Sequence, residues 1–146
     1  DDPRLAFREG ASLVFHRARA ENGSSTTLVV TLPTSDPSIV LLSAPIAARD
    51  LERLVAEPFE DMVKYVVDVR RRRVAIGGEM HSDAEAVLLE DGSLQADLWG
   101  ANYYPGRGAD GCIEYTSLIN IRPAQGNRSM EVMDEGQRAA IREITF

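Results

Sequence analysis

Glu79, His81, Asp83 and Glu85 recur at every second position in the stretch Gly77-Gly78-Glu79-Met80-His81-Ser82-Asp83-Ala84-Glu85. In an extended chain such residues share one face, spaced about 6.6–7 Å apart. Carboxylates and an imidazole so arranged could hold a divalent cation such as zinc, manganese or iron. A helix uses the same residues differently. Ser82 and Glu85 have capping-box spacing, Asp83 offsets the dipole of the first turn, and only Glu79 and His81 remain as ligands. Two ligands within a chain make only a weak metal site. His81 is then a structural residue, hydrogen-bonded just before the helix. Its reference pKa of about 6.5 also suits a general base, but no Ser–His–Asp or Cys–His pattern surrounds it.

A second polar block lies further on. Asn120-Ile121-Arg122-Pro123-Ala124-Gln125-Gly126-Asn127-Arg128-Ser129 gathers Asn120, Arg122, Gln125, Asn127 and Arg128 at an expected strand end. Arginine offers a planar fork for carboxylate or phosphate, and the amides donate and accept. One reading joins this block with Glu79 and His81 in a pocket for a small anionic ligand. The other makes it a structural knot, in which Arg122 and Arg128 pair with acids such as Glu79, Asp91 or Glu131 and pin the loop.

Other chemistry is weaker. Gly77-Gly78 precedes a helix start but lacks the P-loop lysine and the Rossmann spacing, and the neighbouring acids would repel phosphate. Arg70–Arg73 could touch nucleic acid, yet four arginines at a hairpin turn also describe a solvated loop. Trp99, Tyr103, Tyr104 and Tyr115 could stack bases; cross-strand packing explains them as well. Cys112 lies beside the Gly-rich loop 105–111, outside any nucleophile motif.

These residues need elements to position them. Ser12–Phe15 and Leu28–Leu32 flank an Asn-Gly turn and suggest a hairpin, and Thr34–Ser38 suggests a linker. Ile39–Leu42 suggests a short strand. Leu51, Leu54 and Val55 give the stripe of an amphipathic helix over about Ala47–Glu57. Val63, Tyr65, Val67 and Val69 alternate on one face of a strand over Met62–Val69, with Lys64 and Asp68 on the other. Val74–Ile76 would return from the Arg70–Arg73 turn. Ser82 starts a second helix, ended by Gly92. Leu98–Tyr104 and Cys112–Ile121 are further strands. Asp134 and Gln137 mark a third helix start, with Ala140, Ile141 and Ile144 on its apolar face.

Composition bounds the function. The chain has 146 residues, 44% of them hydrophobic, and a net charge of −7, which suits a soluble globular domain. Its acidity disfavours nucleic acid and anionic membranes. Of its 16 basic residues only Lys64 is a lysine. The single cysteine allows no internal disulfide, as expected in a cytoplasmic protein. No apolar run is long enough to span a membrane. The start, Asp1-Asp2-Pro3-Arg4, lacks Met and a signal-peptide pattern, so a fragment or trimmed chain is expected.

Residues from about Leu41 to Phe146 resemble a prokaryotic family known as domain of unknown function 5674. The resemblance rests on Asp61-Met62-Val63-Lys64, Ala75-Ile76-Gly77-Gly78-Glu79-Met80-His81, Leu89-Glu90-Asp91-Gly92-Ser93, Asp97-Leu98-Trp99-Gly100 and Ile119–Glu131, in order and spacing. It implies no substrate, cofactor or catalytic residue. Residues 1–40 and the Arg70–Arg73 run lie outside it.

The expected architecture is α+β: residues 1–40 as an N-terminal hairpin or arm, then 41–146 as one domain with a mainly antiparallel β-sheet packed with two or three short helices. The first functional expectation is a binding module or small enzyme with a polar pocket for an anionic ligand. The second is an oligomerising interaction module, with residues 1–40 as an intermolecular arm. The third is a nucleic-acid-associated regulator. No cofactor is indicated.

Overall fold

The computed structural model describes residues 38–146 throughout and, before them, the backbone of four short strands. There β1 (Ala6–Arg8) pairs with β2 (Ser12–Val14), and β3 (Ala18–Arg19) with β4 (Ser25–Thr26), each antiparallel. Ser12–Val14 therefore pairs with Ala6–Arg8. Leu28–Leu32, its expected partner, lies outside the described residues, as does the Asn22-Gly23 turn.

From Ile39 the chain builds one antiparallel sheet in the order β5-β7-β6-β8-β9. The strands are β5 (Ile39–Leu42), β6 (Val63–Asp68), β7 (Arg73–Gly77), β8 (Leu98–Tyr103) and β9 (Ile113–Glu114), and the helices are α1 (Ala48–Ala56), α2 (His81–Glu90) and α3 (Glu135–Thr145). The α+β class and the antiparallel sheet are as the sequence implies. Side-chain alternation divides the core in two. On one face Val63, Tyr65 and Val67 join Trp99, Ala101 and Tyr103 beneath Leu51 and Leu54 of α1 and Ile141 and Ile144 of α3. On the other, Val66, Ala75, Leu41 and Leu98 meet Ala84, Val87 and Leu88 of α2. Both faces of the central strands are covered, so β6 is buried almost from end to end.

Local chemistry sets the ends. The side chain of Asp134 accepts from the Gln137 N–H at 2.9 Å, the expected cap of α3. Thr145 Oγ1 donates to the Ile141 carbonyl, so the buried Tyr65 hydroxyl must donate to Thr145, at 3.0 Å, tying α3 to the sheet. Asp68 stops β6: its carboxylate accepts from the backbone N–H groups of Arg70 and Arg71 and from the Ser93 hydroxyl. Gly92, at φ +100°, ends α2, with Ser93 N–H bonded back to Leu88 C=O.

Two expectations change. Helix α2 begins at His81 with Met80 at its N-cap, and no side chain caps it. Ser82 is already inside the first turn, so the capping box does not form, and Glu85 turns toward Arg122 instead. The strand expected over Cys112–Ile121 shortens to Ile113–Glu114. Ser117 accepts from the Ile119 N–H and starts a 3₁₀ turn at Leu118–Asn120.

Gly77 closes β7 at φ +108°, and a Cβ there would lie 2.3 Å from the Ser38 carbonyl oxygen, whereas one at Gly106 would meet nothing. Gly77→Ala should cost about 3 kcal/mol or more and Gly106→Ala less than about 0.5 kcal/mol, measured by urea unfolding.

Candidate functional site

Strand β8 has a partner along its whole length on one side, β6. On the other side β9 pairs only with Asn102 and Tyr103. The second polar block fills the gap. The Asn120 side chain accepts from Gly100 N–H at 2.8 Å and donates to Gly100 C=O at 2.9 Å and to Met130 C=O at 3.0 Å. One amide thus replaces the two backbone bonds that a neighbouring strand would make. Arg122 donates through Nε to Ile119 C=O, through Nη1 to Gln95 C=O and through Nη2 to Leu98 C=O. Its guanidinium lies 4.8 Å from the centre of the Trp99 ring and 3.5 Å from the Glu85 carboxylate. Burial raises the Glu85 pKa against the pull of Arg122, and it lowers that of Arg122 itself. Asn127 spreads its amide protons over the carbonyls of Asn120, Ser129 and Glu131 and accepts from Met133 N–H. Gln125 donates to Ala96 C=O and accepts from Arg122.

The seven residues singled out from the sequence therefore do not line one pocket. Asn120, Arg122 and Asn127 are buried and spend their polar groups on the backbone; Gln125 joins them from the surface; Arg128 is exposed on the outside of the loop. Glu79 borders a separate depression with Glu57 and Asp83. His81 lies elsewhere, packed against β8, where its Nε2 bonds the Ala101 carbonyl at 2.8 Å. Among the described residues no cluster of three or more His, Cys, Asp or Glu is placed to hold a metal ion. The arginines of the β6–β7 turn are matched by acids: Arg70 with Asp97, Arg71 and Arg73 with Asp91, Arg72 with Glu143.

His81 instead marks a different cleft. Helix α2 covers the Val66–Leu98 end of its sheet face and leaves the other end open. There the strand register sets Lys64 beside Asn102 and Asn102 beside Glu114, a polar row across three strands. His81 and Ser82, at the start of α2, overlook this row, and Met62, Met80, Leu118, Ile119 and Met130 enclose a cleft of about 520 Å³. Met80, Leu118 and Met130 are 54%, 68% and 41% exposed. An added Cβ at Gly100 would lie 2.6 Å from Ser117 Cβ and 3.1 Å from His81 Cδ2, so that glycine lets both residues sit against β8.

The charges in the cleft have distinct states. Glu114 accepts from the Asn102 amide at 2.9 Å and from the Tyr104 hydroxyl at 3.4 Å. The Asn102 amide oxygen is buried without a hydrogen-bond partner among the described residues. Lys64 has no carboxylate partner among them; its ammonium rests 5.0 Å from the Phe59 ring centre. Burial, helped by Lys64, pushes the His81 pKa down to about 4, against the pull of the Ala101 carbonyl, Asn102 and Glu114. A carbonyl only accepts, so the neutral ring carries its proton on Nε2. His81 is a fixed hydrogen-bonding group near neutrality, with a pKa far from that of an efficient general base. Lys64, Asn102 and Glu114 leave no local signal in the sequence, because only registration between strands distant in sequence brings them together.

The knot should behave as structure. Arg122→Lys and Asn120→Asp should each cost about 2–4 kcal/mol of stability, while Arg128→Ala should change it by less than about 0.5 kcal/mol. His81 predicts a pH effect. Its folded pKa is depressed, so its contribution is full above pH 6.5 and is lost as pH falls toward 4. The loss is on the order of 3 kcal/mol. Urea unfolding across that range should show a flatter slope for His81→Gln.

A model of the family described as Protein of unknown function (DUF5674) matches residues 40–146. No curated protein and no solved structure matches the chain. No helix among the described residues is long and apolar enough to cross a membrane. The family match takes in the five-stranded sheet from Val40 on, the three described helices, the edge-closing block and the cleft, and the chain belongs to the family Protein of unknown function (DUF5674).

Proposed function

We propose that this protein is a binding module for a small amphipathic anion, held in the cleft between the start of α2 and the Lys64–Asn102–Glu114 row. The observation that carries this reading is Lys64. The only lysine of the chain lies at the floor of an apolar-walled cleft with no carboxylate partner among the described residues. A cation so placed favours an anionic head group, and the rim of Met80, Leu118 and Met130 offers apolar surface to the rest of the ligand. Methionine walls adapt to varied shapes. The neutral His81 and the anchored Glu114 favour binding over proton transfer. A cytoplasmic setting fits a chain whose one thiol, Cys112, is buried and unpaired.

A fluorescent alkyl sulfonate, with a flexible apolar chain, one anionic end and an environment-sensitive dye at the other, is a suitable probe. Its fluorescence should rise saturably, with one dye per native chain. Lys64→Met should weaken binding roughly tenfold, and Leu118→Glu, at an exposed rim position, should weaken it further without unfolding the protein. Dye binding that is absent, or equal in the parent and both variants, would contradict the proposal.

A further inference from the structure

From the make-up of the same cleft, and resting on the binding reading above, we infer that its ligand is a straight-chain aliphatic monocarboxylate rather than an aromatic acid or a dianion. Three features point there. First, among the described residues no Phe, Tyr or Trp lines the cleft; Met62, Met80, Met130, Leu118 and Ile119 form its apolar wall. The one ring in the described lining, the His81 imidazole, is buried, so a planar ligand finds little stacking surface, whereas flexible thioether and branched alkyl groups close around a flexible chain. Second, the described lining holds one cation, the Lys64 ammonium, a compact single charge that a monoanionic head group matches one for one. Third, Glu114 stands in the same polar row, two strands away from Lys64. Two strand spacings amount to about 10 Å, so a second negative charge reaching beyond Lys64 meets a carboxylate held in place by Asn102 and Tyr104.

The lone lysine makes the test direct. Reductive methylation with isotope-labelled formaldehyde keeps the charge of Lys64 and gives one side-chain amine resonance to follow by NMR, distinct from that of the terminal amine. The protein is titrated with hexanoate, octanoate, decanoate, suberate and naphthoate. The expected result is a saturable shift of the Lys64 resonance and a dissociation constant that falls about fourfold per added methylene until the cleft is filled. Suberate should bind at least about tenfold more weakly than octanoate of the same length. Naphthoate should bind no better than hexanoate. Equal affinity for hexanoate and decanoate, or naphthoate binding tighter than decanoate, would overturn the assignment. No shift with any carboxylate would also overturn it, and saturable dye binding at the cleft would then leave the broader binding proposal standing.

Discussion

The outer edge of β8 is the constraint from which the rest of the site follows. Gly100 presents its N–H and C=O away from β6, into buried surroundings, and β9 is too short to meet them. A buried peptide group without partners costs about 1–3 kcal/mol for each lost bond. A primary amide carries a donor and an acceptor side by side and can satisfy both. Asn120 does so, and Arg122 extends the repair to the carbonyls of Leu98, of Ile119 in the Leu118–Asn120 turn and of Gln95 in a second 3₁₀ turn, Gln95–Asp97. Replacing a strand by side chains lets the chain after β9 turn away from the sheet. That departure places Ser117–Ile119 and Met130 beside the sheet as one wall of a cleft.

The opposite wall comes from α2. Its buried stripe of Ala84, Val87 and Leu88 packs on Val66, Ala75 and Leu98, so the helix sits over one end of the sheet and its first residue, His81, reaches the polar row. Burial holds His81 neutral and Asn102 anchors Glu114, which leaves the Lys64 ammonium as the cleft's one cation, two strands from the Glu114 carboxylate and not ion-paired with it among the described residues. The turn arginines, by contrast, are spent on acids around Asp91 and Asp97. The more exposed of these pairs, Arg70–Asp97 and Arg72–Glu143, add little stability; all of them leave less free positive charge at the β6–β7 end.

Much of the fold was legible in the sequence because local patterns carried it. The alternation of Val63, Tyr65 and Val67, the stripe of Leu51, Leu54 and Val55, the Asp134 cap and the left-handed Gly92 each gave an element its correct place. Capping-box spacing at Ser82 states only that a cap would fit; with His81 packed against Gly100, the cap falls two residues earlier, at Met80. Cys112–Ile121 misled because apolar alternation continues where pairing stops, and Asn120 turns inward to bond Gly100. The density of Asn and Arg in the block at Asn120–Ser129 was a true signal of buried hydrogen bonding, but residue types alone leave open whether the partner is a ligand or the backbone. The cleft itself stayed hidden. Its row joins positions 64, 102 and 114, which only strand register brings together.

Amide chemical-shift mapping with decanoate tests the division of labour most directly, because one titration reports on both polar blocks. The account predicts shifts centred on Lys64, His81, Asn102, Glu114 and Leu118, with the amides of Arg122–Arg128 unmoved. Shifts centred on Arg122, Asn127 and Arg128 would contradict it, making the block that closes β8 the binding site and the cleft a mere consequence of its packing.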